Sequence, residues 1–374
     1  MLGVEEARAR ARDITGLQPY SAADFDEGLA RTLDAFAALD LLPAARDAAE
    51  ARLVADLAWR TRIEHYFSQH PAIGETPVEA PLLVFGLPRT GTTATVAMMA
   101  CDKRLRFLRA WEAKEPLPPP QRATEENDPR ALAARAAASG YANQAQHLFD
   151  PDGPEEDMVM LAGLDMASYH GAYPMPDDFI EWWIERDFTP TYALHRKLLQ
   201  ILHSACPPNL WLLKAPVHLF QLEAFARAYP GARFVMTHRD PARVIPSDAS
   251  LRYRLHGERC PASALDKSAY GPKLLAFWRR GMDRALAARR AIGEDRFVDL
   301  RNEDLVRDPC GTFDALYRAL GLEMTPQLST AIADYLARNA RGAHGEHRYT
   351  AEEYGTSTAE IRECFADYCD RFGV

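Results

Sequence analysis

The chain has 374 residues, of which 47% are hydrophobic, and its 53 acidic side chains outnumber 44 basic ones to give a formal net charge of −9. That length supports a sizeable buried core, as one large α/β domain or as a domain with an appended helical region. The acidic balance argues against a general binder of nucleic acid or anionic membrane.

Up to about Pro71 the sequence reads as helices, because Phe25, Leu29, Leu33 and Phe36, then Leu53, Leu57, Ile63 and Phe67, recur at helical spacing. Leu82 to Phe85 are four consecutive apolar residues, the pattern of a strand buried on both faces. The loop Gly86-Leu-Pro-Arg-Thr-Gly91 follows, and from Thr92 onward apolar residues return at helical spacing. A loop there sets its backbone N–H groups at a helix N-terminus, where a bound anion is favoured. Residues Pro116 to Gly140 read as part loop and part helix, and from His147 to Leu202 the chain is rich in aromatics, including Phe149, Tyr169, Tyr173, Phe179, Trp182, Trp183, Phe188 and Tyr192.

Further strand-like runs are Leu210–Leu213, Phe234–Thr237 and Phe297–Leu300, alternating with helix-length segments. That alternation predicts a mostly parallel sheet with helices on its faces and ligands beyond the carboxyl ends of the strands. Asp240-Pro241 and Asp308-Pro309 each open a helix with an N-cap acid and Pro at the first position, and Gly321 closes the second. Ala359 to Phe372 reads as one short amphipathic helix. The six cysteines form no C-x-x-C pair and no metal-ligand spacing with the histidines, so we expect free thiols, no metal site and a cytoplasmic protein. The start of the chain lacks a signal-peptide core, and no stretch reaches the length of a membrane span.

The Gly86…Gly91 spacing is that of a Walker A loop, but Thr92 stands where the phosphate-binding Lys belongs, and the loop's cation is Arg89. His238-Arg-Asp240 mimics the kinase catalytic triplet, yet Ile245 occupies the position of the metal-binding Asn. The segment Gly86–Thr93 instead resembles the 5′-phosphosulfate loop of sulfotransferases that use 3′-phosphoadenosine 5′-phosphosulfate (PAPS), in the variant with Arg for Lys. Trp211-Leu-Leu-Lys-Ala-Pro-Val-His218 and Arg233–Leu251 carry the second half of the resemblance, in the order the family requires. Trp111-Glu112, Glu155-Glu-Asp157, Arg301–Leu305 and Arg341–Tyr349 look like recurring blocks of its bacterial branch.

The resemblance implies a three-layer P-loop-like α/β fold. It divides the chain into a helical region 1–80 packed on the main domain and a sulfotransferase domain 81–374, with an acceptor-binding helical section at about 145–202. Loop residues Arg89, Thr90, Gly91, Thr92 and Thr93 would hold the 5′ end of PAPS. Arg239 and Ser247, eight residues apart, would grip its 3′-phosphate. The family's aromatic before Glu-Asp is replaced by Asn302, so its adenine contact is not carried over, and its closing Arg-Lys-Gly segment is missing, with Arg341-Gly342 as the substitute.

Sulfuryl transfer demands in-line positioning and charge stabilisation more than covalent catalysis. Arg89 and Lys214 are the expected catalytic cations, and Glu112 and His218 are level candidates for the general base. The acceptor is expected to be a small hydroxyl or amine compound, phenolic or lipid-like. The rival readings are a P-loop-like nucleotide kinase or hydrolase and a non-catalytic nucleotide-binding scaffold.

Overall fold

The computed structural model describes residues 2–139, 150–157, 169–207, 210–339 and 349–374. Five strands form one sheet: β1 (Leu82–Gly86), β2 (Leu105–Phe107), β3 (Leu210–Lys214), β4 (Arg233–His238) and β5 (Phe297–Arg301). Their order is β2-β3-β1-β4-β5, and every pairing is parallel. β1 is central, with β3 on one side and β4 on the other. Connections on its two sides therefore diverge, and a crevice opens beyond its carboxyl end at Gly86.

The continuous apolar runs follow from burial on both faces. Leu82 and Val84 join Leu212, Val235 and Leu300 under the helices Thr92–Met99, Pro309–Ala319 and Pro326–Arg338. On the opposite face Phe85 meets Phe234 edge-on at 6.3 Å, and Phe234 stacks on its register partner Phe297 at 4.6 Å. Phe225, from the helix Leu222–Ala228, packs edge-on against Phe234 there. Arg289, from the helix Tyr270–Ile292, lays its guanidinium over the Phe297 ring. Together these layers make the expected three-layer arrangement.

Sequence reading missed β2. It is three residues long at the sheet edge, and its centre is Arg106, so no apolar run announces it. The expected single helix at the end of the chain is corrected to two, Thr358–Cys364 and Ala366–Phe372. The Cys364 carbonyl accepts from Arg279 Nη1 at 2.7 Å, and the Tyr368 amide that a continuous helix would give it bonds the Asp367 carboxylate at 2.9 Å. The ladder is cut at that point.

The chain divides into two compact units. The sheet unit comprises Glu79–Asp157, Cys206–Ala249 and Ser268–Val374. The other comprises Met1–Val78, Met158–Ala205 and Ser250–Lys267, so the section expected at about 145–202 falls largely with the N-terminal helices rather than with the sheet. The reason is apolar packing. Phe25, Leu29, Leu33 and Phe36, from the helix Ala23–Ala38, share a core with Leu53 and Leu57 and with Tyr173 and Phe179 of the aromatic-rich section. Phe36 and Tyr173 meet edge-on at 4.8 Å, and Trp183 and Phe188 do so at 5.4 Å. Phe149 lies outside the described residues. Among the described residues no helix is long and apolar enough to cross a membrane.

His256 is buried in this helical unit, and burial, followed by the nearby charges of Arg252 and Arg259, depresses its pKa from 6.5 to about 3. The unfolded chain therefore binds a proton that the folded chain refuses between those limits. Stability contributed by the neutral ring is complete above pH 6.5 and is lost as pH falls toward 3. Urea denaturation across pH 7 to 4 should show this decline, and His256→Gln should flatten it; an equally steep decline in that variant would remove His256 as its cause.

Gly86 ends β1 at the lip of the crevice. A Cβ there would collide with the Thr237 carbonyl oxygen and lie 2.5 Å from its hydroxyl. Because the collision is with backbone of a paired strand, Gly86→Ala should destabilise the protein by about 1–3 kcal/mol, read as a lower urea midpoint at unchanged slope.

Candidate active site

All the described site residues lie in the sheet unit. The loop after β1 is built on two left-handed residues, Arg89 at φ 64° and Gly91 at φ 97°. A non-glycine residue in that region costs about 1 kcal/mol or more and persists only where its surroundings hold it. Thr90 does much of the holding: its buried hydroxyl donates to the Leu87 carbonyl at 2.6 Å and sits 2.6 Å from the Thr237 hydroxyl on β4. The Thr90 side chain is thus committed to the loop, and what it offers a ligand is its backbone.

Gly91 caps the helix Thr92–Met99, with no side-chain cap bond and no acid in the first turn. The uncapped N–H groups there make a cradle for an anion. Thr92 is buried at the first helical position, and Thr93 is exposed. Asn302, the first residue of the helix Asn302–Arg307 that follows β5, donates to the Thr90 carbonyl at 3.1 Å. Sequence reading noted this residue only as the replacement of an aromatic; here it braces the loop.

The two anion-binding motifs meet. Arg89 Nε donates to Ser247 Oγ at 3.2 Å, and Arg239 Nη1 donates to the Arg89 carbonyl at 2.8 Å. Ser247 is buried in the helix Pro241–Gly257, which Asp240 caps by accepting from the Ala242 amide at 2.9 Å. Thus Arg89, Arg239 and Ser247 converge beyond the ends of β1 and β4. The pair Arg341 and Gly342 lies outside the described residues.

On the other side of β1, Lys214 ends β3 and His218 lies in the single-turn helix Pro216–Phe220. Both are buried, and each is held by one of two consecutive acids. Lys214 Nζ bonds Glu156 at 2.9 Å, and His218 Nε2 lies 3.0 Å from one Asp157 oxygen and 3.1 Å from the other. The acids are delivered by a short loop fastened to both neighbouring strand ends. The Glu155 amide bonds the Leu108 carbonyl, the Asp157 amide bonds the Lys214 carbonyl, and Arg109 pairs with Pro154. The sequence flagged Glu155–Asp157 as a block without a role; two adjacent acids facing a Lys and a His four residues apart was the available signal.

Glu112 sits apart from these groups. It lies in the short helix Ala110–Lys114, fully buried, where Oε1 accepts from Arg106 at 2.6 Å and Arg109 at 2.7 Å and Oε2 accepts from the Arg109 amide at 3.2 Å. Arg109 also reaches Glu125 at 2.7 Å, and its guanidinium is held above its ordinary range by these carboxylates despite burial. This is an ion-pair network that fixes the β2 edge.

Beyond the geometry, comparison with known proteins places the chain. It is 31% identical over 166 residues to the omega-hydroxy-beta-dihydromenaquinone-9 sulfotransferase Stf3 of Mycobacterium tuberculosis, an alignment covering 43% of this chain and 40% of that protein. The chain thus matches well under half the length of that curated relative. The crystal structure of sulfotransferase STF9 from Mycobacterium avium superposes with a TM-score of 0.92 at 28% identity, over 100% of this chain and 97% of that one. That of STF1 from Mycobacterium tuberculosis gives 0.84 at 28% identity, over 98% and 99%. A model described as the sulfotransferase family matches residues 81–326, from just before β1 to the start of the helix Pro326–Arg338, and the chain belongs to that family.

Proposed function

We propose that the protein is a PAPS-dependent sulfotransferase whose acceptor is an apolar molecule with a hydroxyl or amine group. The observation that carries this reading is the meeting of two anion-binding motifs, with Arg239 on the Arg89 carbonyl and Arg89 on Ser247, at the sheet's switch point. The residues fit the group. The uncapped turn at Thr92 and Thr93, with Gly91, Thr90 backbone and Arg89, suits the 5′ end, and Arg239 with Ser247 suits a 3′-phosphate. When bound, PAPS supplies a sulfuryl group on an activated phosphate.

The chain's own residues supply charge and a proton acceptor. Lys214, buried at the end of β3, is placed for the charge that develops on transfer, and its hold on Glu156 is the contact it exchanges for that role. His218 takes the acceptor's proton at its ring, and Asp157 orients that ring and stabilises the imidazolium. Glu112 is the weaker candidate for the base, because two guanidiniums and an amide already engage its oxygens. The apolar acceptor is supported by the hydroxylated menaquinone derivative named for Stf3, while Tyr173 and Phe179 of the aromatic section are core residues.

A radiolabelled PAPS screen over phenols, sterols, amines and long-chain alcohols tests the reading, together with calorimetry on 3′,5′-adenosine bisphosphate and 5′-AMP without metal. Tight binding of the bisphosphate and label transfer to a hydroxylated apolar compound are expected. Arg239→Ala should cost about 1.5–3 kcal/mol of bisphosphate affinity and leave 5′-AMP nearly unchanged. ATP–Mg²⁺ bound more tightly than the bisphosphate would return the chain to the nucleotide kinase reading.

His218→Asn should lower kcat by about 10²–10⁴ at unchanged bisphosphate affinity. Glu112→Gln should instead cost about 3–5 kcal/mol of stability, because it removes the carboxylate charge that Arg106 faces and one of the two that Arg109 faces, with turnover per folded molecule close to the parent's. Near-parental turnover in His218→Asn would reject His218 as the base.

A further inference from the structure

Two residues at the end of β4, His238 and Asp240, are gripped by the helix pair at the end of the chain, one on either side of Arg239. Phe372 stacks its ring on His238 at 3.9 Å and 16°. The Tyr368 hydroxyl lies 3.1 Å from His238 Nδ1. Arg362 bonds the Asp240 carboxylate at 2.6 Å. The pair is itself anchored, through Asp367 on Arg279 at 2.6 Å and Arg371 on Glu294 at 2.7 Å.

The direction of these hydrogen bonds follows from elimination. His238 is buried, and burial holds its pKa below the ordinary value in spite of Asp299, so the ring is neutral and carries one N–H. Asp299 is held ionised, because hydrogen bonds from His238 and Arg289 outweigh the effect of its burial. Arg289 bonds both its oxygens, at 2.5 and 2.9 Å. An ionised carboxylate only accepts, so Nε2, 2.8 Å from Asp299, bears the proton. Nδ1 is then an acceptor, and the Tyr368 hydroxyl spends its single proton on it. The Tyr368 hydroxyl and Asp299 thus hold the two ring nitrogens of His238, the residue next to Arg239, with one consistent direction at each link.

We propose that Tyr368 is a positioning residue that holds His238, and with it the adjoining backbone of Arg239, and so tunes the reading of the cofactor's 3′-phosphate. The proposal rests on the cofactor reading above. Its consequence is that the end of the chain, far from the phosphate loop in sequence, sets how well the enzyme tells a 3′-phosphorylated nucleotide from an unphosphorylated one. A guanidinium at a strand end gains its affinity only if its Cα is held while the side chain is ordered.

The test is calorimetric titration of full-length protein with 3′,5′-adenosine bisphosphate and with 5′-AMP. Tyr368→Phe keeps the ring and removes the hydroxyl, and it should weaken the bisphosphate about tenfold, the loss of one well-formed hydrogen bond at a fixed site, while 5′-AMP changes less than about twofold. The loss should appear in KM for PAPS rather than in kcat. In an Arg239→Ala background the same substitution should add no further loss of bisphosphate affinity. Arg362→Ala removes an exposed side chain, and as a milder perturbation it should cost about two- to fivefold for the bisphosphate alone.

Equal losses for both nucleotides, or additive losses with Arg239→Ala, would reduce Tyr368 to a structural residue and overturn the proposal. So would parental discrimination in Tyr368→Phe, while leaving the cofactor reading intact. Failure of the parent protein itself to prefer the bisphosphate over 5′-AMP would overturn both.

Discussion

The hydrogen bond from Arg239 to the Arg89 carbonyl is the contact that brings the two halves of the site together. It joins residues 150 apart in sequence, across the ends of the adjacent strands β1 and β4. Arg89 adopts a left-handed backbone at φ 64°, which turns its carbonyl toward β4 and leaves its side chain to reach Ser247. The strain is affordable because Thr90 is tied to Leu87 and Thr237, and Asn302 holds the Thr90 carbonyl. Each of these bonds is worth about 1 kcal/mol net, so several acting on one loop outweigh a strain of similar size. One backbone carbonyl thereby couples the loop after β1 to the residues that follow β4.

On the opposite side of β1 the limiting physics is the burial of charge. Lys214 is about 5% exposed, and an ammonium so enclosed is stable only beside a counter-charge. Glu156 supplies it, and the same loop supplies Asp157 to His218. Because Asp157 is also bonded through its amide to the Lys214 carbonyl, the acids and the groups they serve move as one body. A loop that ties a cation and an imidazole to one strand end preorganises both without help from solvent, which is where such groups gain their catalytic value.

How much of this was legible in sequence divides along physical lines. The strands of the central sheet were readable because burial on both faces forces unbroken apolar runs, as in Leu82–Phe85 and Phe234–Met236. The Gly86–Thr93 loop and the Arg239…Ser247 spacing were readable because a tight turn and a capped helix fix residue types at fixed offsets. β2 was not, since an edge strand of three residues with Arg106 at its centre has no such signature. Neither was the break at Phe365, which is decided by Arg279 some eighty residues earlier taking a carbonyl from the helix ladder. The partners of Glu112 escaped notice for the same reason: periodicity reports which face is buried, and says nothing of which distant guanidinium arrives there.

Asn302 shows how a departure from a family pattern acquires a cause. A Cβ at Gly91 would lie 2.5 Å from Asn302 Nδ2, and Gly91 itself stands at φ 97°, where side chains are disfavoured. The amide of Asn302 therefore fills the space a side chain at Gly91 would need, and spends its proton on the Thr90 carbonyl next to it. An aromatic ring in place of Asn302 has no donor to give that carbonyl. Gly91 and Asn302 thus form one unit of design: glycine makes the turn and leaves the room, and asparagine uses that room to hold the loop through the Thr90 carbonyl.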